Sequence, residues 1–377
     1  MTGTSEAQEN LENLVELTRQ LMLMRTTEFE PAERRRCIDF IRSHIDALPG
    51  VDIREYERND SVSLLANPSG HDSPDILMCG HIDVVAHPED AIYRGQIIDG
   101  RIVGPGSGDM KGAVAIILEV FRNTLRENPG ASIGIAITSD EEIGGADGIG
   151  YLFGEAGVRC GQALVPDGGS LNRITIQEKG ILHLGLNFDG RTGHAARPWL
   201  AESATEHLIE RLQALREHFD ERYPRTADDW HPTCAITTLS TPNRTINRVA
   251  GHAHANLDVR FPPPHTSAEI LESIRSVLGP RVGIETVIDA DPAEFAPDPL
   301  FQKITQEVTG KPVELERSHG GSDARFIAAK NIPAMISCPL VGNLHSVDEW
   351  IDIESMGTLY KIYPQYIREK CPINSTS

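Results

Sequence analysis

The chain of 377 residues has no Cys-x-x-Cys pair; its six cysteines, Cys37, Cys79, Cys160, Cys234, Cys338 and Cys371, are scattered. That spacing gives no disulfide framework and no thiolate metal knot, and it fits small buried hydrophobes in a reducing compartment. Positive charge is scarce: 35 Lys and Arg face 55 Asp and Glu, a formal net charge of −20. Nucleic acid and anionic membrane surfaces are therefore disfavoured as partners, whereas a local concentration of carboxylates could draw divalent cations. No apolar run is long enough to span a bilayer. The opening "MTGTSEAQENLENLVELTRQ" lacks the basic, apolar and small-residue succession of a signal peptide, so a cytoplasmic protein is expected. Internal repeats and low-complexity tracts are missing as well. The glycines of "VGPGSGDMKGAVA" match neither nucleotide pattern. The third glycine of G-x-G-x-x-G is replaced by Asp109, and Lys111 is followed by Gly112 where a Walker loop needs Ser or Thr.

What is present is ordinary globular material, 40% apolar and 24% charged, in a chain longer than one core usually organises. Two domains are expected. Helical spacing marks residues 9–23 and 33–48 and the long "KGAVAIILEVFRNTLREN". Short apolar runs bounded by Gly, Asp or Pro recur in "VDIREYE", "SVSLLAN", "DILMCG", "SIGIAITSDEE", "QALVPDGG" and "IPAMISC". Buried strands alternating with helices predict an α/β layer fold with a mostly parallel central sheet. Near residue 180 the pattern changes. "ILHLGLNFDG" alternates, and Leu208, Leu212, Leu215 and Phe219 share one helical face. "CAITTLS", "HAHANLDVRF", "SAEILESIRSVLG" and "VGIETVI" follow, which reads as an inserted α+β sandwich. The expected division is a discontinuous larger domain, 1–178 and 290–377, around an insert at 179–289. The Pro/Asp-rich "DADPAEFAPD" marks the return. The stiff turn Phe261–Pro264 has no functional account.

Functional side chains of α/β folds collect at the carboxyl ends of strands. His81, Asp83, Glu141, Glu142 and Asp167 all fall at such ends. In "ILMCGHIDVV" a buried strand finishes on His81, with Asp83 close enough to hold one ring nitrogen and leave the other as a metal ligand. Asp109 is either a helix N-cap or a carboxylate pushed inward to bridge two cations. "TSDEEIGG" is either a solvated charge run or a set of acids that only a cation makes tolerable at a core edge. In the second case one acid binds metal and its neighbour moves protons. Asp167 in "VPDGG" is either an Asp-Gly turn residue or a further ligand, and "GNLHSVDEW" adds His345 after another buried strand. Nitrogen and oxygen donors without thiolates suit Zn²⁺, with Co²⁺ or Mn²⁺ as substitutes.

"GHIDVV", "GSGDMKG", "TSDEEIGG", "VPDGG", "GHAARP" and "GNLHSVDE" occur in the order and near the spacing of the M20 metallopeptidase family. The chain resembles that family, which includes carboxypeptidase G2, the ArgE/DapE deacylases, aminoacylase-1 and several dipeptidases, over nearly its whole length. The resemblance implies a zinc-hydrolase α/β sandwich with an inserted lid or dimerisation domain, and a homodimer. It implies two divalent ions, one on His81 and Asp167, the other on Glu142 and His345, with Asp109 bridging. Glu141 would be the general base and Asp83 the partner of His81. His194 of "GHAARP" would stabilise the oxyanion, in dimeric members from the partner subunit. Asn247, Arg260 and the glycine-rich Gly320, Gly321 and Ser322 would bind substrate. The peptide bond after Asp109 would be cis.

The implied reaction is hydrolysis of an amide in a small N-acyl amino acid, acetyl or succinyl, with Arg260 gripping the carboxylate. A dipeptidase or aminopeptidase is the alternative. Family deacylases tend to carry Glu where this chain has Asp167, and peptidases acting on free amines tend to carry Asp. A metal-binding pseudoenzyme is disfavoured because all five ligands and the base are present, and a nucleotide enzyme by the failed glycine patterns.

Overall fold

The structure, a computed structural model, describes residues 2–87 and 93–371. The chain divides into a larger unit, Met1–Ile176 with Glu294–Ser318 and Ser322–Ser377, and a smaller one, Gln177–Ala293 with His319–Gly321.

The larger unit is built on a nine-stranded sheet. Its centre runs Ile133–Thr138, Ile76–His81, Gln162–Val165 and Ala334–Ile336, all parallel. Every residue of the first three strands is buried, as expected of parallel strands covered on both faces. The flanks differ from the mostly parallel sheet expected. Val51–Arg58 and Ser61–Pro68 form an antiparallel hairpin, and the second strand joins Ile133–Thr138 antiparallel. Asn59, at φ 49°, and Asp60 connect that hairpin. Two residues can reverse a strand but cannot supply the long crossover a parallel neighbour requires. The sheet is therefore mixed, parallel only where the chain crosses over by a helix or a longer connection.

Helix Gly112–Glu127 is buried almost without interruption from Gly112 to Phe121, so it is apolar on all sides rather than on one stripe. It lies on the central strands and is covered by Thr2–Met22, Pro31–Ile45 and Ile353–Lys370. The fit is closest at Gly80, where a Cβ would come within 3.0 Å of Met110 Cε and 3.2 Å of a Val114 methyl. The glycine before His81 thus lets the helix approach the end of the strand. Four short strands, Val341–Gly342, Trp350–Asp352, Arg101–Val103 and Gln96–Ile98, form a separate small sheet.

The smaller unit has the strand, helix, strand, strand, helix, strand order read from the sequence. Its antiparallel sheet runs Thr233–Ser240, His252–Phe261, Gly180–Asp189 and Gly283–Ala290. Leu208, Leu212, Leu215 and Phe219 of helix Ala204–Arg222 are buried, together with Ile270 and Ile274 of Ser267–Leu278. The second helix opens on a capping box, Thr266 with Glu269. Along His252–Phe261, buried Ala253, Ala255, Leu257, Val259 and Phe261 alternate with half-buried His252, His254, Asn256, Asp258 and Arg260. One face is core and the other polar. The Pro263–Pro264 bond following this strand is cis. Among the described residues no helix is long and apolar enough to cross a membrane.

Candidate active site

Parallel register aligns the strand ends. His81, the last residue of its strand, lies opposite Thr138, and Glu141 and Glu142 follow in a short turn Glu141–Ile143. Asp167 comes two residues after Val165. Asp109 belongs to the tight turn Ser107–Lys111, broken by non-helical geometry at Asp109 (φ −124°, ψ 96°) and Met110 (φ −128°, ψ 31°). The Asp109–Met110 bond is cis, as the resemblance implied.

Five of these residues converge as two clusters with one shared member. His81, Asp109 and Asp167 form the first; Asp109, Glu142 and His345 form the second. His81 Nε2 lies 3.1 Å from Asp109 Oδ1 and 4.0 Å from Asp167 Oδ2. His345 Nε2 lies 3.1 Å from Asp109 Oδ2 and 3.4 Å from Glu142 Oε2. The two oxygens of Asp109 therefore face two different imidazoles. Asp83 acts on both clusters. Its main-chain carbonyl accepts from His81 Nδ1 at 3.1 Å, which leaves Nε2 facing Asp109, and its carboxylate lies 3.4 Å from the same nitrogen. Its other oxygen accepts the Glu142 N–H at 2.9 Å. Glu141 stands outside both clusters, with Oε1 3.9 Å from Arg325 Nη1.

The electrostatics follow from crowding acids in a buried place. Burial, then the charge of Asp109, pushes Glu142 up to about 8 and Asp167 up to about 6. Burial also raises Glu141 well above the usual carboxylate range. Burial opposes ionisation of Asp109 too, but hydrogen bonds from His345 and His81 override it and hold its carboxyl well below that range. The donor set is oxygen and nitrogen. Cys338 is excluded because burial pushes its thiol up to about 12, and its Sγ points at the carbonyls of Gly169 and Pro339. Three carboxylates and two imidazoles, paired through a shared Asp, fit two divalent cations, whose charge would relieve the repulsion that raises Glu142 and Asp167.

Proton linkage gives a test of that fit. The Asp109 hydrogen bond raises His345 from 6.5 to about 9 in the metal-free protein. The stability gained from the charged pair is full below about 6.5 and is lost as pH rises through about 9. A bound cation displaces the same proton, so metal affinity has the opposite slope and rises across that window. Calorimetric titration with Zn²⁺, in buffers of different ionisation enthalpy, is expected to show proton release at pH 7 that shrinks above pH 9. Proton-neutral binding at pH 7 would count against His345 as a ligand.

The remaining candidates belong to neither donor cluster. His194 and Asn247 are neighbours in the smaller unit: His194 pairs with Arg248, and the Asn247 carbonyl accepts the Ala195 N–H at 2.9 Å. Both are exposed. His194 Nδ1 accepts the Ala196 N–H at 3.1 Å. Arg260 is gripped by Asp258, Nε to Oδ1 at 2.6 Å and Nη2 to Oδ2 at 3.1 Å, with His183 Nε2 3.3 Å from Asp258. Gly320 is exposed and Gly321 half-buried, while buried Ser322 opens the short helix Ala324–Ala328 through its hydroxyl and the Ala324 N–H. Sequence reasoning passed over Arg325. This buried guanidinium donates to the carbonyls of Ser322 and Gly144 beside Glu141. Its signal was an arginine in "SDARFIAA", a short, otherwise apolar helical run.

An α/β sheet presenting paired nitrogen and oxygen clusters at its strand ends, with a further carboxylate, Glu141, outside both, has the donor arrangement of a metal-dependent hydrolase. Peptidase family M20/M25/M40 matches residues 77–369. A succinyl-diaminopimelate desuccinylase of Acidiphilium cryptum is 32% identical over 85% of this chain and 89% of its own. The di-peptidase Dug1p of Saccharomyces cerevisiae superposes with a TM-score of 0.78 at 14% identity, over 98% and 99% of the two chains. A dinuclear metal-binding M20 peptidase of Bacillus subtilis superposes at 0.64 with 14% identity, over 97% and 99%. The chain belongs to peptidase family M20/M25/M40, as its motifs led one to expect, and is a hydrolase of amide bonds.

Proposed function

We propose that this protein removes an acyl group from the nitrogen of a small amino acid by hydrolysis, as a cytoplasmic homodimer carrying two Zn²⁺. Co²⁺ or Mn²⁺ would substitute. The observation that carries the chemistry is Asp109 shared between two donor clusters, with Glu141 outside both. His81, Asp109 and Asp167 would hold one cation and Asp109, Glu142 and His345 the other. When bound, the cations would polarise the scissile carbonyl and acidify water.

The chain's own groups supply the rest. Glu141 takes a proton from the attacking water and returns it to the departing nitrogen. Arg325 holds the carbonyls of Ser322 and Gly144 and keeps Glu141 beside a fixed positive charge. Asp83 fixes the His81 tautomer and the Glu142 main chain. His194, through Nε2–H, would donate to the oxyanion, and Asn247, Arg260, Gly320, Gly321 and Ser322 would bind the substrate. The acyl-amino-acid substrate is supported by the desuccinylase relatives at 27–32% identity. Asp167 favours a second reading, a dipeptidase, because the resemblance associates Asp at this position with free-amine substrates.

Amine release should be followed with N-succinyl and N-acetyl amino acids against unblocked dipeptides, each with added Zn²⁺, Co²⁺ or Mn²⁺. Turnover of the acyl set is expected. Turnover of dipeptides alone would establish the second reading, and none with either set would refute both.

A further inference from the structure

The loop that brings His345 to the site continues into Glu349, whose side chain belongs to neither donor cluster. Glu349 is 1% exposed. Its Oε1 accepts two consecutive main-chain N–H groups, Gly108 at 2.8 Å and Asp109 at 2.9 Å. Its own carbonyl accepts the Gly104 N–H at 2.7 Å. One residue thus holds both ends of the segment Gly104–Asp109.

Within the turn, the Ser107 N–H reaches the Gly104 carbonyl at 3.1 Å and the Lys111 N–H the Gly106 carbonyl at 2.9 Å, but neither bond holds the N–H of Gly108 or Asp109. The segment contains three glycines, and the Ser107 hydroxyl is buried without a hydrogen-bond partner. Glycine-rich backbone is permissive and must be fixed from outside. Holding the N–H groups of Gly108 and Asp109 together fixes the peptide plane between them. The direction of the Asp109 Cα–Cβ bond, and so the facing of its two oxygens, follows from that plane. Neighbouring contacts hold Glu349 itself. Trp350 pairs with Val103, and its carbonyl lies 3.1 Å from where a Cβ of Gly108 would stand. A side chain at Gly108 would press on this strand and on Leu344 and Val341, each also 3.1 Å away. Lys111, fully buried and bonded to the Met24 carbonyl at 2.7 Å, sets a positive charge in the same turn.

We propose that Glu349 is the positioning residue of the cation pair. Through the backbone it sets Asp109 between His81 and His345, and because it shares the His345 loop it ties the bridging carboxylate to one terminal ligand. The inference rests on the two-cation reading of the site.

The test uses the full chain and Co²⁺ alone, followed by visible absorption, which reports affinity, stoichiometry and coordination without turnover. Glu349→Ala removes the acceptor; Glu349→Gln keeps an oxygen that can accept both N–H groups. The alanine variant is expected to lose about 10- to 100-fold in Co²⁺ affinity, the usual scale for a group supporting a ligand, and to shift the absorption bands. The glutamine variant should recover most of the affinity with the wild-type spectrum. If alanine prevents folding, Glu349→Asp keeps the charge but withdraws the oxygen by one methylene, and should show the same loss. A folded alanine or aspartate variant with wild-type affinity and spectrum would overturn the proposal. So would a glutamine variant as damaged as alanine, since charge rather than the held amides would then be at work. Wild-type protein that binds no Co²⁺ would bring down the two-cation reading first, and Glu349 with it.

Discussion

Glu141→Gln is expected to lower kcat by ~10²–10⁴-fold, about 3–5 kcal/mol of transition-state stabilisation, while metal content stays near wild type. The separation follows from geometry. Glu141 lies outside both donor clusters, so replacing it would remove the proposed proton carrier and no member of either cluster. Because the proton moves only in the transition state, kcat and kcat/KM should fall together. The fold should tolerate the change. Arg325 keeps its bonds to Ser322 and Gly144, and a glutamine relieves the burial cost that raises the Glu141 carboxyl. Above the ordinary glutamate pKa that cost works against the folded state, so the metal-free variant at pH 7 should melt no lower than wild type. Steady-state kinetics, metal analysis and a thermal melt check the three parts. Surviving activity would dismiss Glu141 as the base, and lost metal would make it a ligand.

How much of this was legible in the sequence depended on the length of the element concerned. Buried strands such as "ILMCGH" and "SIGIAIT" declare themselves by continuous apolar runs ending in Gly or acid, and the site sits where those runs stop. The fully buried helix Gly112–Glu127 was legible for the same reason. The antiparallel flank escaped because the two residues between Val51–Arg58 and Ser61–Pro68 decide its direction, and apolar patterning says nothing about direction. The small sheet behind Glu349 escaped because strands of two or three residues have no measurable period, and Trp350–Asp352 finds its partner some 250 positions earlier in the chain. "HSVDEW" therefore surrendered its histidine but not its glutamate. The Asp258–Arg260 pair could have been read, because residues two apart on a strand share a face and opposite charges there meet.

Asp109→Asn should be more damaging than loss of any ligand that serves one cluster. Asp109 is the only residue common to both clusters among the described residues, and its two oxygens stand 3.1 Å from His81 and 3.1 Å from His345. An amide offers one acceptor oxygen and turns a donor toward the other imidazole, so one of the two contacts is lost whichever way it faces. The substitution also removes the negative charge that stands first, after burial, among the causes raising Glu142 and Asp167. Both acids then ionise more readily, yet the two clusters have lost the one member they share among the described residues. Activity is expected to fall on the order of 10³-fold or more, ~4 kcal/mol, with Co²⁺ stoichiometry dropping below two per chain. Asp167→Asn, confined to the His81 cluster, should leave the second position able to bind. The proton count gives an independent reading. Asp109 hydrogen bonds raise both His81 and His345, so in Asp109→Asn the imidazoles fall back toward their ordinary value. Proton release on metal addition at pH 7 should shrink accordingly. Two ions bound at wild-type affinity, with unchanged proton release, would mean that Asp109 does not bridge, and the shared-ligand account of the site would have to be abandoned.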